Sequence, residues 1–455
     1  MTHAPPLRRR AGRPFPVAPL TPLASLALLS ALAAAPPALA QAQDIAWSGF
    51  ATLGFAQSGD APGRYLRWID SNGTFNADSV AALQADWRIN PRWSATVQAK
   101  AAPSEKSDHQ WQLRPAWAFL AWRPDDAWLV RAGRMRLPLY MYSEILDVGV
   151  AQDMARLPVE MYSILPSNEY NGFSVGHTRP TSLLPDGELA VEAYGGRIGT
   201  TARFWLRDGA PPQVPAGEHY VSVNVSTFGL LTTLRNARTT VRLGVHAART
   251  ARVGGERTPV DYPFVPIPIA PGLGYYKVDD AMPGPPLESV ARIRNIITTL
   301  GVEQQLGDGW RVAAELARNQ QFRTRLGSNT LGGYATLFRE MGDFTPYVSV
   351  GRLRTSQPQM DLYRRLIGTQ LPPMVPGAAQ INAAQRVAAE SIYVANQSSW
   401  ALGMAWHTPW GGSLKVEHAS TLIGETTRLI DTPPGQPSPE NQRFGTWRLS
   451  YSVAY

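Results

Sequence analysis

The chain has 455 residues, 44% apolar and 17% charged, with 39 glycines, 39 prolines and no cysteine. Without cysteine there is no disulfide framework, thiolate zinc site or cysteine nucleophile, and so much glycine and proline suits turns and loops better than a helical bundle. The formal net charge is +8, but four of the 43 basic residues sit in the first 40 positions, and the remaining 39 against 35 acids is too even a balance for a nucleic-acid partner.

Residues 1–40 read as a secretory signal. Arg8, Arg9, Arg10 and Arg13 form the basic start, residues 20–34 are apolar, and Ala38-Leu39-Ala40 is a small-residue cleavage site before Gln41. Pro19, Pro22 and the Pro36-Pro37 pair interrupt or end the run, which is short for a membrane span. Beyond it no stretch of about 20 apolar residues occurs, so any crossing of a membrane falls to strands. Residues 41–455 are expected to form a single domain.

Alternation at period two predicts strands at 46–57, 79–89, 92–101, 112–123, 128–138, 171–179, 188–206, 220–234, 239–250, 290–306, 310–321, 330–340, 343–354, 397–407, 413–422 and 443–455. That is about 16, and between 14 and 18 once the weak turn at 181–187 and the long segment after it are allowed for. The first hairpin shows the rule: Leu83, Ala85, Trp87 and Ile89 alternate with Gln84, Asp86 and Arg88. After Asn90-Pro91, Trp93, Ala95, Val97 and Ala99 alternate with Ser94, Thr96, Gln98 and Lys100. In lipid the apolar face turns outward and the polar face lines a lumen. Tryptophans beside short turns (Trp87, Trp93, Trp122, Trp128, Trp310, Trp406, Trp410) mark one rim, while 58–78, 139–170, 251–289 and 355–396 are long connections. The expected fold is all-β: a transmembrane antiparallel barrel with short periplasmic turns and long outer loops.

The last strand sets Trp447, Leu449, Tyr451, Val453 and Tyr455 against Arg448, Ser450, Ser452 and Ala454, and is expected to close on 46–57. This ending, the opening Gly49-Phe50-Ala51-Thr52-Leu53-Gly54-Phe55 and the Gly133-Arg134 pair together resemble the 16-strand porins of Gram-negative outer membranes. The resemblance implies a homotrimer in outer-membrane lipid that passes small hydrophilic solutes and ions, without enzymatic activity or a cofactor, and a third outer loop folded into the lumen. Size points the same way, since 16 to 18 strands leave an aqueous channel. The alternatives are a substrate-specific channel of the same fold, a barrel hydrolase, and a soluble periplasmic β-protein. His3, His109, His177, His219, His246, His407 and His418 have no metal-ligand spacing, and Glu417 and His418 face opposite sides of a strand.

A charged constriction is expected where Arg131, Arg134 and Arg136 of the fifth strand face Glu144, Asp147, Asp153 and Glu160 of the following loop, with Glu169 beyond. Cations opposite carboxylates would set a transverse field across the narrowest point. Alternation cannot put all three arginines on one face, so a bulge near Gly133 is needed or one of them points elsewhere. Residues 153–157 are expected to begin a helical turn stopped by Pro158, with Arg156 either paired to Glu160 or facing the lumen. Arg88, Lys100, Arg242, Arg311, Glu315, Arg352, Arg354, Lys415, Glu417 and Arg448 are expected to face inward, and their cationic excess implies a mild anion preference.

Overall fold

The computed structural model describes residues 45–163 and 168–455; the expected signal segment, residues 1–40, lies outside them. Sixteen strands pair into one closed antiparallel barrel. In chain order they are β1 (Ile45–Gln57), β2 (Val80–Arg88), β3 (Trp93–Pro103), β4 (Trp111–Trp122), β5 (Trp128–Arg136), β6 (Glu169–Thr181), β7 (Gly187–Leu206), β8 (Gly217–Arg235), β9 (Thr239–Arg252), β10 (Ile293–Gly307), β11 (Trp310–Phe322), β12 (Thr330–Arg339), β13 (Phe344–Thr355), β14 (Ala395–His407), β15 (Ser413–Thr427) and β16 (Arg443–Ala454). Each strand pairs with its neighbours in the chain, and β1 closes on β16 from Phe50↔Ala454 to Gln57↔Trp447. Gly49 and Tyr455 extend the closure with backbone hydrogen bonds of 3.2 and 3.1 Å. The long segment after the weak turn is a single strand of 20 residues, paired along its length with β8. Closure leaves no strand edge with open donors and acceptors, the condition for a sheet in lipid.

The short turns are built by side chains placed to cover the backbone. Asn90 Oδ1 accepts from the N–H groups of Arg92 and Trp93, both at 2.9 Å. Asp125 does the same for Ala127 and Trp128 at 2.9 and 3.0 Å, and Asn236 for Arg238 and Thr239 at 2.9 and 2.8 Å. Each Asx side chain satisfies donors that a reversing chain would leave open. Between β10 and β11, Asp308 and Gly309 have φ of 51° and 76°, the pair of positive angles whose twist fits a two-residue hairpin. Trp93 stacks on Trp122 at 6.0 Å and Trp406 on Phe344 at 5.9 Å, as in an interfacial aromatic belt.

Alternation produces two opposite faces. Leu83, Val97, Phe228, Leu243, Leu402 and Leu449 are exposed on the outside, whereas Gln98, Lys100, Ser349, Lys415, Arg448, Ser450 and Ser452 are buried on the inside. Apolar outside and polar inside is the order of a barrel in lipid; the chain is an outer-membrane β-barrel. Two inward assignments fail: Arg352 and Arg354 share the exposed face of β13 with Val348 and Val350, while Leu353 is fully buried. Backbone parity decides the face, and charge alone does not overrule it near the end of a strand.

Several of the outer connections are long, and some of these are internally packed. Residues 356–394 contain α1 (Gln357–Gly368) and α2 (Ala378–Ser391), where an irregular loop was expected. α2 is rich in alanine and glutamine, good helix formers, and α1 carries proline in its first turn, where the missing N–H is harmless. Met360, Leu362, Ala388 and Ala389 of these helices bury Tyr262 of the connection between β9 and β10.

The described part of the third outer connection, residues 137–163, packs inside the barrel. Leu137, Leu139, Tyr140 and Met161 lie against Tyr170 of β6, Tyr194 of β7, Leu231 of β8, Ile297 of β10 and Tyr334 of β12. Met154 and Leu157 lie against Ala313, Phe338 and Tyr347. This apolar anchorage draws the loop off the rim and into the lumen.

Candidate functional site: the inserted third loop

Among its described residues loop 3 carries little regular structure: two 3₁₀ turns, Ser143–Ile145 and Gly149–Ala151, and one helical turn, Val159–Tyr162. Pro158 does not stop a helix over 153–157; it precedes Val159–Tyr162 as its cap. A locked φ and an absent N–H suit the start of a helix rather than its end.

The loop's polar atoms meet the wall on several sides. Beside β3 and β5, Asp147 Oδ2 accepts from Lys100 Nζ at 2.7 Å and from Arg136 Nη2 at 2.6 Å, and Lys100 also donates to Glu169 at 3.0 Å. Burial acts to raise the Asp147 carboxyl, but the Arg136 guanidinium and the Lys100 ammonium outweigh it and hold its pKa well below the usual carboxylate range. Toward β1 and β16, Gly149 lies so close that an added Cβ would sit 2.2 Å from Ser452 Oγ and 2.5 Å from Thr52 Oγ1. Lys415 of β15 donates to the carbonyls of Gly149 and Met154 at 2.6 and 3.3 Å.

On the opposite side, Asp153 accepts from Arg311 of β11 and lies 3.2 Å from His407 Nε2 of β14. Glu315 of β11 accepts from the Met141 N–H and the Tyr334 hydroxyl, both at 2.8 Å, and from the Tyr162 hydroxyl. Glu160, 1% exposed, accepts from Gln397 of β14 at 2.9 Å. Arg156 pairs with Asp78 and donates to the Ala77 carbonyl at 2.8 Å, so it bonds to the first outer connection instead of Glu160. Asp78 in turn faces Arg448 at 3.5 Å, which donates to Glu417 at 2.8 Å.

The three arginines of β5 separate. Arg131 reaches Glu192 of β7 at 2.8 Å, Ser174 of β6 at 3.1 Å and Glu144 of the loop at 3.5 Å. Arg136 joins Asp147. Arg134 instead donates to the Pro115 carbonyl at 2.6 Å and does not reach a loop acid. Between them Gly133 has φ 138°, and an added Cβ would lie 2.3 Å from the Ala118 carbonyl oxygen, so only glycine fits this approach. The acids Asp147 and Asp153 therefore touch their cations directly. Alternation marked Lys100, Arg311, Glu315 and Lys415 as inward; nothing local showed that each would bind the loop. The tyrosines Tyr140, Tyr142 and Tyr162 were missed altogether.

A second set of ties crosses the outer mouth. The Arg203 guanidinium at the outer end of β7 grips Asp108 of the β3–β4 connection and Asp431 of the β15–β16 connection, with Nε to Asp108 Oδ1 and Nη1 to Asp431 Oδ1 both at 2.9 Å. Burial raises the Asp108 carboxyl, but Arg203 and the Tyr220 hydroxyl bring it below its ordinary value.

No protein-family model and no curated protein sequence matches the chain. Among solved structures the barrel is similar to a loop L8 deletion mutant of OmpT, an outer membrane protein of Vibrio cholerae, at 9% identity over 90% of this chain and 99% of that one, with TM-score 0.47. It is similar to an anion-selective porin from Comamonas acidovorans at 8% identity, 90% and 99% coverage and TM-score 0.47. For OprB of Pseudomonas putida the values are 10%, 90%, 94% and 0.48. At such identities and scores these likenesses carry no weight for function, and the barrel rests on its own strand pairing.

Proposed function

We propose that the chain is a passive, non-enzymatic outer-membrane channel for small hydrophilic solutes and ions, working as a homotrimer, with loop 3 setting its aperture. The observation that carries this reading is the anchorage of loop 3 to facing sides of a 16-strand lumen, Asp147 on Lys100 and Arg136 and Asp153 on Arg311. A barrel of this size holds water unless something fills it, and a loop fixed at separate points narrows the lumen to a defined passage. That passage runs past Glu144, whose side chain is 45% exposed, opposite Arg131 at 20% and Glu192 at 21%. Two carboxylates against one guanidinium favour cations at this point and oppose the pull of the inward cations Arg88, Lys100, Arg242, Arg311, Lys415 and Arg448, so any net anion preference is mild.

Planar-bilayer recording of the purified protein tests the reading. The expected result is salt-proportional conductance in groups of three equal steps, with a reversal potential near zero or slightly anionic in a salt gradient. Glu144→Gln should move that potential further toward anions. A protein that forms no steps would overturn the channel, and strong cation selectivity would overturn the assignment of the passage.

A further inference from the structure

Arginines on the lipid-facing side of the barrel near its outer end include Arg249, Arg294, Arg318, Arg352, Arg354 and Arg443. Their outward direction follows from parity with exposed Val245, Leu300, Leu316, Val350 and Trp447 on the same strands. Arg352, Arg354 and Arg443 are exposed and, among the described residues, have no acid or hydrogen-bond partner, whereas the inward Arg136, Arg311 and Arg448 are all paired. Unpaired guanidinium groups are unfavourable against acyl chains and are tolerated only at headgroup depth, where anionic groups can meet them.

Between two of these arginines the wall is notched. The ladder aligns Gly333, Arg352, Ser398, Leu422 and Arg443 across β12 to β16, with Ala335, Val350, Trp400 and Ser420 in the next outward row. Small side chains in both rows leave a shallow, mainly apolar groove of about 500 Å³ with Arg352, Arg443 and Trp400 on its lining. An apolar hollow with guanidinium groups at its outer end matches a molecule with a phosphorylated head and hydrocarbon chains.

We infer that the outer-wall groove bordered by Arg352 and Arg443 binds the phosphate-bearing head of an outer-leaflet glycolipid, with an acyl chain lying along Gly333, Ser398 and Ser420. Guanidinium forks hold phosphate oxygens in pairs, which favours phosphate over a zwitterionic head. Charge complementarity selects this occupant over a second copy of the chain. Two guanidinium groups with no acid on the groove's lining call for an anionic occupant.

The test uses the full-length mature protein in detergent, titrated with bis-phosphorylated lipid A and with phosphatase-treated lipid A, bound lipid being counted by native mass spectrometry. The expected result is binding of the phosphorylated form and at least a tenfold loss of affinity in Arg352→Gln/Arg443→Gln. Phosphatase treatment should give a similar loss with the wild-type protein. Arg249→Gln/Arg294→Gln removes the same charge from β9 and β10, away from the groove, and should bind as wild type; Arg352→Lys/Arg443→Lys should recover part of the affinity. Unchanged binding by the groove variant, or equal loss in both double variants, overturns the site. Loss of the oligomer on size-exclusion chromatography with lipid binding intact also overturns it, making the groove an interface between copies.

Discussion

Two arginines on the final strand lie five residues apart and live in opposite chemistry. Arg448 is buried in the lumen wall, donating to Glu417 at 2.8 Å and facing Asp78 at 3.5 Å; Arg443 stands exposed on the lipid side with no partner among the described residues. β11 repeats the contrast: Arg311 is enclosed by Asp153, Glu303 and Glu340, while Arg318 turns outward and binds the Asn319 and Thr330 carbonyls. An odd spacing along a strand moves a side chain through the wall. Inside, a charge is kept by pairing, because an uncompensated buried charge is costly; outside, it is kept by depth along the membrane normal.

The inner half of that comparison breaks most severely at Glu315. Glu315→Ala strands the Met141 N–H and the Tyr162 and Tyr334 hydroxyls in a buried site, and the expected loss is on the order of 3–5 kcal/mol. Urea unfolding in lipid vesicles, followed by tryptophan fluorescence, measures it; a change near zero would mean that loop 3 does not depend on this anchor. On the outer face, Val348→Arg puts a cation four residues deeper than Arg352 and is expected to cost about 2–4 kcal/mol in the same assay. Arg352→Leu should stay within about 1 kcal/mol of wild type, since near the interface a charge carries little penalty. Equal costs for the two substitutions would show that depth does not separate these positions.

Acid gives the smallest effect and the finest discrimination. The folded pKa of Asp147 is depressed, so its contribution is complete above the ordinary aspartate pKa of about 3.9 and disappears only as pH falls through a still lower folded value. Hydrogen-exchange protection of loop 3, corrected for intrinsic rates, should therefore be the same at pH 7 and pH 4. In Asp147→Asn it should be weaker at both. Loss of protection by pH 5 in the wild-type protein would place the loop's tether elsewhere.

The faces of the wall were legible because the signal is local and repeats every two residues. Thr96, Gln98 and Lys100 needed only the phase of one strand to be placed inward, and Trp447, Leu449 and Val453 to be placed outward. Arg352 and Arg354 were misplaced when the habit of putting charge inside overrode a phase already set by Val348 and Val350. The helices α1 and α2 were hidden because only a period of two was sought in a region whose alanine-rich composition favours another period. Arg134 lies an odd three residues from Arg131, so alternation required one of the arginines to point elsewhere; that it is Arg134, in phase with exposed Trp128 and Ala132, while Arg136 joins Asp147, was decided only in the structure.

From the amino-acid sequence alone follow the barrel, a strand count of about sixteen, the polarity of its two faces and the pairing of its last strand with its first, since each derives from the backbone pleat and from which residues lipid accepts. The tertiary structure alone decided what holds loop 3 in place. Lys415 reaches the Gly149 carbonyl across 266 positions of chain, and Arg311 reaches Asp153 across 158. Such partners meet only because closing a sixteen-strand cylinder brings facing walls within a side chain's reach of the same inserted loop, and that distance depends on the closed circumference rather than on any segment of the chain.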